Sequence, residues 1–240
     1  MKIIATLLFL SSAIFAEHLT YKVKAPLFGT IGEINVDYSS SATSYNIDAS
    51  MKTFGFAKKL SGNRKEQYHS RGFVSGNIYK SKKFLQDATY KNKREHLEYS
   101  FNYSSKKITK YRTKYKNGKE YLNYTKVLNY WTYNDFFSVY HNIVARLMNK
   151  KPGIYSTQIT GLEKHKGRLT IIVPSIQKQK QEAKSIGVKD VWIFHIITHK
   201  KIMGSKKGEI VFAVGKDGIA KAVRVLGTPF VSHIDGILAN

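Results

Sequence analysis

The chain has 240 residues, no cysteine, and 40 Lys plus Arg against 16 Asp plus Glu, a formal charge of +24. Without cysteine, disulfide scaffolds, thiolate metal sites and cysteine nucleophiles are excluded. A hydrophobic fraction of 42% is too high for a disordered basic tail and predicts a folded core, which a chain of this length can build without covalent staples.

The first sixteen residues read as an export signal. Lys2 supplies a positive start, Ile3 to Phe15 carries no charge, and Ala16 precedes the polar Glu17-His18. At ~1.5 Å per residue that run cannot span ~30 Å of hydrocarbon, so it reads as a cleaved signal rather than an anchor. Cleavage is expected after Ala16, with Ala13 as the alternative. The predicted organisation is a signal peptide over 1–16 and a single β-rich domain over 17–240, placed in the periplasm.

The mature chain then alternates like strands. Ile34, Val36 and Tyr38 recur with a period of two, as do Tyr45, Ile47, Ala49 and Met51 against Asn46, Asp48 and Ser50. Leu97, Tyr99, Phe101 and Tyr103 alternate with His96, Glu98, Ser100 and Asn102. Such half-solvated strands predict an antiparallel sheet. Asn117-Gly118 predicts a two-residue type I′ hairpin, since both residues tolerate positive φ. That turn predicts Tyr111, Thr113 and Tyr115 on a face with Glu120, Leu122 and Tyr124, and Lys110, Arg112, Lys114 and Lys116 on the opposite face with Lys119. One face is then aromatic and the other basic.

Asn134 to Met148 predicts the principal helix, with apolar residues at 3, 4 and 7 spacing and Asn134 as its cap. Val191 to Thr198 is apolar on both faces and predicts a central strand, or one lying between sheet and helix. Asp217-Gly218 predicts a second hairpin. The fold class is mainly β, a β-rich α+β chain: a curved antiparallel sheet or half-barrel closed by the helix near 134–148.

Catalytic signals are weak. His195 and His199 fall in a strand-like run, where four residues at ~3.3 Å each hold them too far apart for one metal ion. Ser175-Ile176-Gln177-Lys178 has the Ser-x-x-Lys spacing but lacks the partner motifs that chemistry needs. No nucleophile elbow, P-loop or dinucleotide fingerprint is present. The expectation is a non-enzymatic protein with no cofactor and no metal.

Positive charge is the strongest chemical feature. Residues 52–126 carry most of it, with nine tyrosines interleaved. Basic strands with aromatic rings suit anionic polymers and surfaces, and an exported chain meets lipid headgroups and envelope polymers rather than nucleic acid. Tyr99, Phe101, Tyr103, Tyr111 and Tyr115 are the candidate apolar ligand face, and Lys110, Arg112, Lys114, Lys116 and Lys119 the candidate anion contacts. Two readings stay open for the aromatics, a ligand groove or simply the core. Two stay open for function: a carrier of an amphiphilic, anionic, lipid-like envelope ligand, or an accessory protein docking on an anionic polymer, membrane surface or partner protein.

The chain also resembles the bacterial exported family catalogued as domain of unknown function 3108. Tyr21-x-Val23 with Gly29-Thr30-Ile31-Gly32-Glu33 is similar to that family's first strand pair, and Tyr45-x-Ile47-x-Ala49 with Thr53 and Gly55 to the next. Tyr68-x-Ser70-x-Gly72, Asp135-Phe136-Phe137-Ser138 and the strand from Lys221 to Leu226 resemble later family signatures. The resemblance implies an exported β-rich domain with no established activity, similar in shape to the curved half-barrel of periplasmic lipoprotein carriers.

Overall fold

A computed structural model describes residues 15–148, 150–199, 208–228 and 231–239. The expected signal segment therefore lies outside the described residues, except that Phe15 and Ala16 open the first strand and pair with Ser40 and Ser39. No helix among the described residues is long and apolar enough to cross a membrane.

Eight strands form an antiparallel meander in chain order: β1 (Phe15–Ala25), β2 (Gly29–Ser40), β3 (Ser44–Thr53), β4 (Lys65–Ser75), β5 (Ile78–Tyr90), β6 (Lys93–Asn102), β7 (Lys107–Lys116) and β8 (Lys119–Val127). A short helix, α1 (Gly55–Ser61), interrupts the β3–β4 connection. The chain then enters α2 (Phe136–Leu147) and returns through β9 (Gly153–Gln158), β10 (Arg168–Val173), α3 (Ile176–Ile186), β11 (Val191–Ile197), β12 (Glu209–Gly215), β13 (Ala220–Leu226) and β14 (His233–Leu238). β14 pairs with β1, so all fourteen strands make one sheet running from β8 at one edge to β9 at the other. The fold is mainly β, one large antiparallel sheet that is not closed into a barrel.

The gap between β8 and β9 is bridged by side chains rather than by a ladder. Thr132 Oγ1 donates to the Gln158 carbonyl at 2.7 Å, Tyr130 OH to the Ile159 carbonyl at 3.0 Å, and Asn134 Nδ2 to the Gln158 carbonyl at 2.9 Å. Gly167, at φ +75°, admits the Tyr130 ring: a Cβ there would stand 2.6 Å from that ring.

The principal helix forms as the sequence predicts, but one residue later. Asp135, not Asn134, is its N-cap, and it completes a capping box with Ser138. Asn134 is instead buried as a cross-link to β9 and to Asn142 of the helix. One flank of α2, through Val139 and Ile143, packs on Leu169, Ile171, Phe194 and Val214. Phe137 packs on the cluster of Phe84, Tyr99, Phe101 and Ile108. The helix thus fills the inner side between the two arms of the sheet.

β11 is apolar on both faces because it lies between two helices. Phe194 and Ile196 face the α2 cluster, while Ile193 joins Val211, Ala213 and Ala222 beneath Ala183 and Ile186 of α3. α1 and α3 were not legible as helices. α3 is polar at most positions, and its Ser175-x-x-Lys178 spacing proves to be a helix start, Ser175 Oγ accepting from the Lys178 amide at 3.3 Å.

Asp135 is fully buried and its carboxylate accepts four hydrogen bonds. Oδ1 takes the Phe137 and Ser138 amides at 2.8 and 2.9 Å, and Oδ2 takes Ser70 Oγ of β4 and Ser81 Oγ of β5 at 2.6 and 2.7 Å. Asp135→Ala removes a cap and strands two buried hydroxyls, so stability should fall by about 3 kcal/mol. Chemical denaturation of the purified variant against the parent measures it.

Candidate functional site

Directly opposed residues of an antiparallel ladder share a face, so the pairing register arranges the inner side of β2–β8 in rows. The row nearest α2 runs Tyr38, Ile47, Ser70, Phe84, Tyr99 and Lys110. All but Tyr38 are buried. The next runs Val36, Ala49, Tyr68, Gln86, Leu97 and Arg112, and ends at Tyr124. Most of these are half-buried. The third passes through Ile34, Met51, Glu66, Glu95 and Lys114. The inner face is therefore filled at the helix end and becomes partly open and charged toward the far end.

This register corrects the expected two-faced hairpin. Tyr99 stands opposite Lys110, and Leu97 opposite Arg112, so Lys110, Arg112 and Lys114 point to the inner face with Tyr99 and Phe101. Tyr111 and Tyr115 lie on the other face, where Tyr111 packs against His96 and Tyr115 OH donates to Glu120 at 3.1 Å. The Asn117-Gly118 turn forms with φ of +52° and +76° and places Lys116 opposite Lys119. A bulge between Lys114 and Tyr115 then shifts the register, moving Leu122 and Tyr124 to the face of Lys114 and Arg112. One residue of slip exchanges the faces, which is why the turn alone did not predict them.

Tyr99, 1% exposed, and Phe101 are core side chains. Tyr103 is half-buried, its OH donating to the Ser81 carbonyl at 2.7 Å and its ring edge-on to Trp131. Lys110 is buried and neutralised: its Nζ lies 2.8 Å from Glu163 Oε1, which also accepts from Tyr99 OH at 2.6 Å. Nζ sits 5.5 Å above the Tyr99 ring. Burial would raise the Glu163 carboxyl, but the hydrogen bonds from Lys110 and Tyr99 outweigh it and hold the group below its ordinary range. Lys116 and Lys119 are exposed at the turn.

The far end of the rows gathers ionised groups that periodicity did not single out. Glu66 is buried and bonded by Arg64 Nε and Tyr68 OH. Glu95 takes Arg112 Nη2 on one oxygen and Lys114 Nζ, at 3.2 Å, on the other. Burial disfavours the Arg112 cation, yet Glu95 overrides this and raises its proton affinity. The Arg112 Nε–H is buried without a hydrogen-bond partner among the described residues, a deficit of about 1–3 kcal/mol. Glu66 follows the same alternation as Tyr68 and Ser70, so its inward position was readable in principle. Its partner Arg64 precedes the strand and was not.

At the opposite end, rings stack in the order Tyr45, Tyr79, His141 and Tyr38, with centroid spacings of 4.7, 4.7 and 5.0 Å. Tyr38 and Tyr79 share a short hydroxyl contact, and Tyr79 OH donates to Ser40 Oγ at 2.9 Å. Burial lowers the His141 imidazole to about 4. His195 and His199 do not meet: His195 lies between Glu182 and Glu209, each at 2.9 Å, and His199 contacts Thr170 Oγ1 at 3.0 Å. A cleft of about 290 Å³ opens beside Met148, Trp192 and Lys216, and one of about 180 Å³ between α2 and Tyr155. Neither is lined by the aromatic or basic residues expected to bind ligand.

No protein-family model matches the chain. No curated protein matches it. Among solved structures it is similar to a β-barrel-like protein of domain of unknown function DUF1849 from Brucella abortus, with a TM-score of 0.56, 12% identity, and coverage of 96% of this chain and 98% of that one. At that identity the likeness shows the fold alone. It also corrects the resemblance to domain of unknown function 3108, since the fold match is to a different uncharacterised family and no family model supports the other.

Two measurements follow from this geometry. Lys110→Ala leaves Glu163 without its cation and should cost about 3 kcal/mol, while Lys110→Met with Glu163→Gln should recover most of it; a double-mutant cycle by thermal unfolding checks both. The unfolded chain protonates His141 near its ordinary 6.5, whereas the folded chain does so only near 4. Stability should therefore fall as pH drops from about 6.5 toward about 4, and that component should vanish in His141→Phe, as read by denaturation at about pH 7 and about pH 5.

Proposed function

We propose that this is an exported, non-enzymatic binding or carrier protein for an amphiphilic, anionic, lipid-like ligand of the cell envelope. The observation that carries the reading is the charged cluster at the β7 end of the second and third rows. Arg112, with an unsatisfied buried Nε–H, stands opposite half-buried Leu97 and is followed on the same inner face by Lys114, and the row of Leu97 continues strand by strand through Gln86, Tyr68 and Ala49 to Val36. An anionic headgroup would complete the guanidinium's hydrogen bonding, and an acyl or similar chain would lie along the neighbouring apolar row. The deep row of Tyr99 and Phe101 stays in this reading a wall, not a pouch. The barrel-like fold is compatible with such a role and does not select the ligand.

Native mass spectrometry with lipid extraction, on protein purified from its own host, tests this. A co-purifying lipid-like molecule at near one-to-one is expected, with occupancy reduced at least ~tenfold in Arg112→Met. A protein that is empty in both forms overturns the carrier reading in favour of docking through the basic exterior.

A further inference from the structure

β1, β3, β5 and β7 all run toward the end of the sheet remote from α2, and that end carries an apolar knob. The β1–β2 turn presents Leu27, 98% exposed, and Phe28, 48% exposed; α1 presents Phe56 at 57% and Leu60 at 61%. Phe28 and Phe56 stack in parallel at 5.7 Å, which joins the two segments into one surface.

The turn is built against local preference. The Phe28 amide donates to the Ala25 carbonyl at 3.2 Å, closing a turn with Pro26 second and Leu27 third at φ +69°. Pro second with positive φ third is the type II pattern, which favours glycine or asparagine at the third position. Leucine there strains the backbone and leaves a large apolar side chain in water, and no folded contact compensates for either.

Around the knob stand Lys24, Lys58 and Lys59, all exposed and in no ion pair among the described residues. Lys52 is also close by, partly neutralised by Glu33 at 2.9 Å. Apolar groups ringed by unpaired lysines match an interface in which hydrocarbon underlies negative headgroups. We propose that this end docks on an anionic lipid bilayer, with Leu27, Phe28, Phe56 and Leu60 inserting at the acyl boundary and Lys24, Lys58 and Lys59 meeting the headgroups. The proposal does not depend on whether the inner face holds a ligand.

Sedimentation of lipid-stripped protein with vesicles of phosphatidylcholine, with and without phosphatidylglycerol, tests it. Binding is expected only with phosphatidylglycerol and should weaken as salt rises. Leu27→Gly with Phe56→Ser should weaken it at least ~tenfold, and Lys58→Glu with Lys59→Glu at least ~tenfold. Leu27→Gly alone should weaken binding while keeping or raising the melting temperature, which separates the loss of binding from unfolding. Absence of binding to the anionic vesicles, or equal binding by the parent and both paired variants, overturns the proposal. So does a knob that mediates self-association of the protein while the vesicles stay free.

Discussion

One buried carboxylate sets the position of everything inside the sheet. Asp135 caps α2 and accepts hydroxyl hydrogen bonds from β4 and β5 in the same contact. A helix terminus anchored to two adjacent strands resists sliding, and the apolar flanks of α2 pack against both arms of the sheet. No cation neutralises this group in the described contacts; four hydrogen bonds serve instead, which is the condition under which a buried carboxylate is tolerated. The filled end of the molecule follows from that anchor.

Away from the anchor the inner face changes character. Side chains of the row beside α2 are packed, and the one charge among them, Lys110, is met by Glu163 from across the sheet's open edge. Further out, burial is incomplete, and Arg64, Glu66, Glu95, Arg112 and Lys114 pair with one another rather than with solvent. Charge on this protein is thus of two kinds. Some of it is internal, compensated and structural, and some is external and in no ion pair among the described residues, as at Lys24, Lys58 and Lys59. Only the second kind contributes long-range attraction for an anionic surface, because a paired ion presents little net field.

Legibility in the sequence tracked the range of the interaction. The alternating runs from Ile34, Tyr45 and Leu97, the type I′ turn at Asn117-Gly118 and the apolar stripe of α2 are properties of a few adjacent residues. Each formed where its pattern indicated. The faces of β7 did not, because they depend on whether Tyr99 meets Lys110 or Tyr111, a matter of one residue in the β6–β7 turn. The bulge at Lys114–Tyr115 reversed the faces of β8 in the same way. No periodicity encodes such a shift, since the alternation is identical in both registers.

By itself, therefore, the sequence determined a lysine-rich, cysteine-free, mainly antiparallel β chain with one amphipathic helix, since composition and local periodicity suffice for that. Tertiary structure alone decided that three basic residues of β7 point inward, that Tyr99 and Phe101 are core, and that Leu27 and Phe56 share an exposed knob. Those outcomes rest on contacts between residues tens of positions apart, such as Lys110 with Glu163 and Ser70 with Asp135. Their energies are set by burial and register, which exist only once the strands have paired and the sheet has packed on the helix.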